Sequence, residues 1–318
     1  MEKHSRIYIA GNRGLVGSAI ERRLRREYDN ILTSDIADFD LTDARATDAF
    51  FDRTRPEYVF LAAAKVGGIK ANDTYPADFI RINLHIQTHV IDAAFRYKVR
   101  KLLFLGSSCI YPRLAPQPIK EEHLLTGKLE STNDAYAIAK IAGILMCKSY
   151  NRQHGTNFIA AMPTNLYGPG DNFDLETSHL LPAWIRKFHD AKTAERDSVE
   201  LWGTGTVRRE LLYVEDLADA LVFLMNHFDA GRDREDEKMF VNVGLGDDIM
   251  LRDLANLVSD IVGYRGRIEW NTSMPDGTPR KLLDVSRLHA MGWKAQHTLE
   301  EGIRKTYNWY LQNRAPSR

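Results

Sequence analysis

Cysteine is scarce in this sequence. Cys109 and Cys147 are the only two in 318 residues. That is too few for a disulfide framework, so reduced thiols in a cytosolic protein are expected. An excess of either charge is missing too, since Lys+Arg and Asp+Glu both number 43 and the net charge is zero. No global field draws the chain to nucleic acid or to an anionic membrane, and an anionic small ligand needs a local basic cluster. No apolar run approaches the roughly 20 residues of a membrane span. The start, Met1-Glu2-Lys3-His4-Ser5-Arg6, carries no secretory signal. Internal repeats and low-complexity tracts are absent, and no metal is expected. These absences exclude secreted, membrane and nucleic-acid-binding classes and leave a cytoplasmic protein with a small-molecule partner.

What remains is ordinary for a soluble enzyme: 44% hydrophobic and 27% charged residues. The length favours one large and one small domain. Arg6–Ala10 reads as a first strand, Leu15–Tyr28 as a helix and Asn30–Ser34 as a second strand. Helices follow at Ala44–Arg53, Phe79–Tyr97 and Tyr136–Arg152, with strands at Tyr58–Ala64, Lys101–Leu105 and Phe158–Met162. The continuous apolar runs in these strands suit burial on both faces. Such alternation predicts an α/β fold, a doubly wound parallel sheet of Rossmann type. After Pro169 the rhythm breaks. Helices are expected at Pro182–Lys192, Leu251–Val262 and Leu299–Asn313, a strand at Val241–Val243, and a charged excursion over 229–238. We expect a dinucleotide-binding domain over 1–168 with returning segments near 208–243, and a smaller C-terminal α/β substrate domain interleaved over 169–318.

Gly11-Asn12-Arg13-Gly14-Leu15-Val16-Gly17 follows the first strand and opens a helix. Glycines at this spacing permit a tight turn and close backbone approach to a pyrophosphate, which rests on the helix N-terminus. The loop predicts a nicotinamide dinucleotide. Arg13 would pair with a 2′-phosphate and favour NADP(H). Asp35, at the end of the second strand, would bind the ribose diol and favour NAD(H), or only cap its own loop.

Tyr136 and Lys140 are four residues apart and share a helix face. A lysine ammonium beside a phenol lowers the phenol's pKa, and the tyrosine can then protonate a carbonyl as it is reduced. Ser107 follows a buried strand at the sheet's C-terminal edge, where its hydroxyl can hold the carbonyl oxygen. The ordered set of glycine loop, Ser107, Tyr136 and Lys140 points to an oxidoreductase of the extended short-chain dehydrogenase type.

Several segments sharpen this reading: Ala63-Ala64-Lys65-Val66-Gly67-Gly68, Gly106-Ser107-Ser108-Cys109-Ile110-Tyr111-Pro112, Tyr136-Ala137-Ile138-Ala139-Lys140, Pro163-Thr164-Asn165-Leu166-Tyr167-Gly168-Pro169, Asp171-Asn172-Phe173 and Pro275-Asp276-Gly277-Thr278-Pro279-Arg280-Lys281. With them the chain resembles the GDP-L-fucose synthase family over nearly its whole length. The resemblance implies that Cys109 and His179 form an acid–base pair that moves protons at C3 and C5 of a GDP-4-keto sugar. A carbon beside a ketone can be deprotonated if the enolate oxygen is stabilised, which Ser107 and Tyr136 can do. It also implies NADPH as reductant and contacts to it from Leu105, Gly106, Ser107, Tyr136, Lys140, Pro163, Thr164, Asn165, Leu166 and His179. Lys187, Trp202, Arg209 and Asp276 are implied to hold the nucleotide sugar, and a homodimer through the Phe79 and Tyr136 helices is implied. Arg280 and Lys281 either add charge to that site or face solvent.

Two departures stand out. Ser34-Asp35 occupies the place where some members carry Arg, and Gly170 stands where His is common. A reductase acting on another GDP-4-keto sugar, such as a 6-deoxy-heptose, is the second reading. A non-catalytic dinucleotide sensor is the third, disfavoured because it would not need Ser107, Tyr136 and Lys140 together. A 4,6-dehydratase would be expected to carry acidic residues where Ser108 and Cys109 stand.

Overall fold

Six strands build the central sheet of the chain, described here by a computed structural model covering residues 1–231, 240–274 and 276–313. Residues 232–238 of the expected charged excursion, and Pro275, lie outside the described residues. The strand order is Phe240–Val243, Phe158–Pro163, Lys101–Leu105, Tyr58–Leu61, Ile7–Ala10, Ile31–Thr33. All five pairings are parallel, with Ile7 opposite both Ile31 and Tyr58. From its first strand the chain runs to the edge strand Ile31–Thr33, then crosses back to Tyr58–Leu61. That reversal opens a crevice beyond the C-terminal ends of Ile7–Ala10 and Tyr58–Leu61, where open parallel sheets take their ligands.

The pleat explains the two cores. Ile7, Ile9, Leu103, Leu105, Val241 and Val243 share one face with the helices Leu15–Leu24 and Val214–His227. Tyr8, Ala10, Leu102, Phe104, Ala160 and Met162 share the other with Ala44–Thr54, Pro76–Arg96 and Asp134–His154. Each fully buried Ile or Leu contributes roughly 1.5–3 kcal/mol to holding a layer in place. A third core joins Ile185 and Phe188 of Leu180–Thr193, Leu254 and Val258 of Leu251–Val262, and Ile303 and Tyr310 of Leu299–Asn313. Short sheets border it: Ser198–Trp202 with Arg267–Asn271, and Ile249–Met250 with Arg208–Arg209 and Arg280–Lys281.

Three of the differences from expectation bear on the central sheet and its helices. The helix expected over 15–28 ends at Leu24 and continues as turns that fold Tyr28 into the core. The strand expected over 58–64 ends at Leu61, because its partner strand turns away at Gly11 once Ala62 N–H has bonded to Ala10. Helix Val214–His227 was not anticipated. It buries nine of its residues against the sheet and Leu15–Leu24, leaving Glu215, Asp219, Phe223, Asn226 and His227 as a narrow outer stripe.

Candidate active site

The first strand delivers the glycine loop to the crevice. Gly11 has φ +89°, and a Cβ there would sit 2.7 Å from the Ala63 backbone. A Cβ on Gly17 would sit 2.0 Å from the Gly11 carbonyl oxygen, so any side chain at either position forces helix and strand apart. Gly14 caps Leu15–Leu24 without a side-chain hydrogen bond, and the helix has no acid in its first turn. Its free N–H groups and dipole suit an anion. Asn12 Oδ1 is buried without a hydrogen-bond partner among the described residues. The tight turn and the bare helix start together fit a dinucleotide pyrophosphate.

The two residues that argue for different cofactors meet. Arg13 and Asp35 form an ion pair with Arg13 largely exposed and Asp35 mostly covered. Asp35 also accepts from Ala37 N–H, and its own N–H donates to Asp38.

Strand Lys101–Leu105 ends at Gly106, where a Cβ would strike the Met162 thioether. Ser107 follows in extended backbone and caps a single turn, its Oγ accepting from Cys109 N–H at 3.3 Å. Tyr136 and Lys140 lie near the start of helix Asp134–His154, and Tyr136 stands beside Ser107. Lys140 is buried and donates from Nζ to the Leu105 carbonyl at 2.8 Å. Its Nζ lies 5.8 Å from the Tyr136 ring centroid and 4.9 Å from that of Phe104.

The expected lowering of the Tyr136 phenol by Lys140 is not what dominates. Burial pushes Tyr136 up, the Cys109 sulfur adds to that, and Ser107 opposes it. Burial pushes the Lys140 ammonium down to about 7. Both groups are held out of water, and the lysine faces a carbonyl rather than the phenolic oxygen.

Cys109 is half-buried beside them, whereas Cys147 is wholly buried and its thiol is pushed up by that burial. Lys281 donates to Cys109 Sγ at 3.6 Å. His179 begins helix Leu180–Thr193 with part of its surface open. Protein packed around its ring, and then Lys281, push its imidazole below the usual value. The charge of Lys281 thus reaches both members of the expected acid–base pair.

Strands Phe158–Pro163 and Asn165–Tyr167 carry the Pro163–Leu166 segment past the sheet edge. Thr164 and Asn165 donate from their side chains to the Glu210 carbonyl, so they brace this edge. Glu210 is fully buried and its carboxylate accepts from Leu283 and Gly246 N–H groups. Burial nevertheless pushes it up to about 7.

The four residues expected to hold the nucleotide fall in two contacts. Lys187 Nζ lies 5.9 Å from the Trp202 ring centroid, and Trp202 is 55% exposed, leaving its face free to stack on a base. Arg209 donates to the carbonyls of Thr278 and Asp276, while the Asp276 carboxylate accepts from Thr204. Arg208 does not join them, because it and Arg280 both bond to Asp248.

Sequence reasoning left Lys281 undecided and gave Asp171 no role. Asp171 is buried with an oxygen unpartnered among the described residues, and burial pushes it up to about 7. Its type, an acid beside Gly170 in a quoted segment, was the only signal available.

The profile of the NAD dependent epimerase/dehydratase family matches residues 7–244. A rice protein named probable GDP-L-fucose synthase 1 is 54% identical over 98% of this chain and 94% of its own length. The GDP-L-fucose synthase of Escherichia coli is 51% identical over 97% of each chain. A GDP-mannoheptose C4 reductase from Campylobacter jejuni, solved with NADP bound, superposes with TM-score 0.89 at 39% identity over 98% of this chain and 99% of that one. The chain belongs to the NAD dependent epimerase/dehydratase family, on its GDP-L-fucose synthase branch.

Proposed function

We propose that this chain converts GDP-4-keto-6-deoxy-D-mannose to GDP-L-fucose, epimerising C3 and C5 and reducing C4 with NADPH. The observation that carries the reading is a thiol, Cys109, beside Ser107 and Tyr136, its backbone N–H donating to Ser107 Oγ. One set of hydroxyls can then serve two reactions of the same ketone. Ser107 and Tyr136 hold the C4 oxygen and stabilise the enolate that forms when a neighbouring carbon loses its proton. Cys109, as thiolate, takes a proton from C3 and later from C5, and protonated His179 returns one on the opposite face each time, with Cys109 releasing its proton to solvent and His179 regaining one from solvent between the two. Tyr136 then gives its phenolic proton to the C4 oxygen, with Lys140 supporting the phenolate left behind. When bound, the nicotinamide supplies the hydride for C4. Gly11 to Gly17, Leu105, Gly106, Pro163 to Leu166, Lys140 and His179 hold the cofactor in this reading, and Asp35 gives up Arg13 to it. Lys187, Trp202, Arg209 and Asp276 hold the GDP end of the sugar.

The same reading carries residues 1–168 and 208–243 as the cofactor domain, most of 169–318 as the sugar domain, and a cytoplasmic homodimer. Ile138 and Leu145 support the dimer, being exposed apolar residues two turns apart on one helix. Sedimentation tests it, and a monomer would remove it.

Cys109→Ser tests the thiol. Deuterium entry at C3 and C5 from heavy water is expected to slow by about 10²-fold or more while NADPH affinity holds. Unchanged entry would remove Cys109 from the mechanism. The heptose reductase relative favours one alternative, a 4-keto-heptose substrate reduced without epimerisation.

A further inference from the structure

Lys281 turns its ammonium to a sulfur. It lies on strand Arg280–Lys281, in register with Arg209 on the parallel strand Arg208–Arg209. Its basic neighbours are satisfied elsewhere: Arg208 and Arg280 by Asp248, Arg209 by backbone carbonyls. Lys281 forms no ion pair with a carboxylate among the described residues, and its ammonium donates to Cys109 Sγ at 3.6 Å. The two are 172 positions apart in sequence, so only the tertiary fold brings them together. Tyr136 comes near this cysteine from its helix, and the Cys109 backbone N–H donates to Ser107 Oγ in the preceding turn. His179 faces Lys281 from the start of its own helix.

We infer that Lys281 is a positioning residue acting through Cys109, its ammonium holding the sulfur as the thiolate that takes protons from the sugar. An ammonium beside a thiol favours the anion, and thiolate rather than thiol is the base. The inference rests on the proposed function only in assigning the sugar protons to Cys109.

The test reads the thiol without substrate. The pH profile of iodoacetamide alkylation at Cys109 would be followed by mass spectrometry, which separates it from buried Cys147. Lys281→Met is expected to shift the profile to higher pH and to slow alkylation near neutral pH about tenfold, the effect of one pH unit in thiol ionisation. Lys281→Arg keeps the charge and is expected to restore most of the rate. A melting temperature close to wild type in both variants separates this from unfolding. An unchanged profile in Lys281→Met would overturn the inference, as would a raised KM for the GDP-sugar with no change in the thiol, which would make Lys281 a diphosphate ligand. Deuterium entry in the wild-type enzyme tests the epimerase reading independently, so the two can fail separately.

Discussion

Arg13 and Asp35 are bonded to each other, and each would have to turn to a different cofactor. NADPH needs Arg13 to leave Asp35 for the 2′-phosphate and brings two negative charges toward that carboxylate. NADH needs Asp35 to accept from the ribose diol. Because Arg13 is 78% exposed, parting the pair costs only about 0–1 kcal/mol. A charge-assisted hydrogen bond to phosphate is worth about 1.5–3 kcal/mol, or roughly 10- to 150-fold in Kd. Arg13→Ala is therefore expected to weaken NADPH by about that factor. NADH should change less than about threefold, since Asp35 is released for the diol. Asp35→Ala should act the other way, weakening NADH about tenfold and tightening NADPH as repulsion is lost and Arg13 is freed. Titration by tryptophan fluorescence, at one fixed low ionic strength because exposed charges are screened, gives all the constants. Equal factors for both cofactors in both variants would refute this account of the pair.

Tyr136→Phe should lower C4 reduction about 10²- to 10⁴-fold with an unchanged melting temperature, measured by NADPH oxidation; retained turnover would mean another proton donor. Glu210→Gln turns an amide N–H toward the Leu283 or Gly246 N–H it now accepts from, and should cost about 1–3 kcal/mol in denaturant unfolding. A neutral result would mean that this brace carries no stability. Asp171 ionises in the fold only near 7, well above its value in the unfolded chain, so the folded state binds the extra proton in between. Its contribution to stability is therefore present at low pH and is lost as pH rises toward and through about 7. Asp171→Asn should flatten the fall in stability between about pH 4 and about pH 7, read by urea unfolding, and an unaltered slope would contradict the burial argument.

Much of the architecture was legible because its signals are local. The strand Lys101–Leu105 is apolar throughout and buried on both faces, and helix Leu251–Val262 buries one clear face, so both fall where the sequence puts them. Helix Val214–His227 was missed although Glu215, Asp219, Phe223 and Asn226 keep a helical spacing, because the stripe left outside is narrow and the rest is buried. Within the site, Gly11 and Gly17 declare themselves by spacing, and the structure supplies the steric reason. The electrostatics were less legible. Lys140 four residues from Tyr136 suggests a direct effect on the phenol, yet its ammonium turns to the Leu105 carbonyl. Lys281 reaches Cys109 only through pairing of strands distant in sequence, which no local pattern encodes.

The central claim is that one site both epimerises and reduces. The most direct test offers GDP-4-keto-6-deoxy-D-mannose to the wild-type protein in heavy water with NADPH and reads the product by NMR. The account predicts deuterium at both C3 and C5 in a product of L-fuco configuration. Cofactor oxidation with no deuterium in the sugar would contradict it, leaving a simple 4-keto reductase in which Cys109 and His179 have no part.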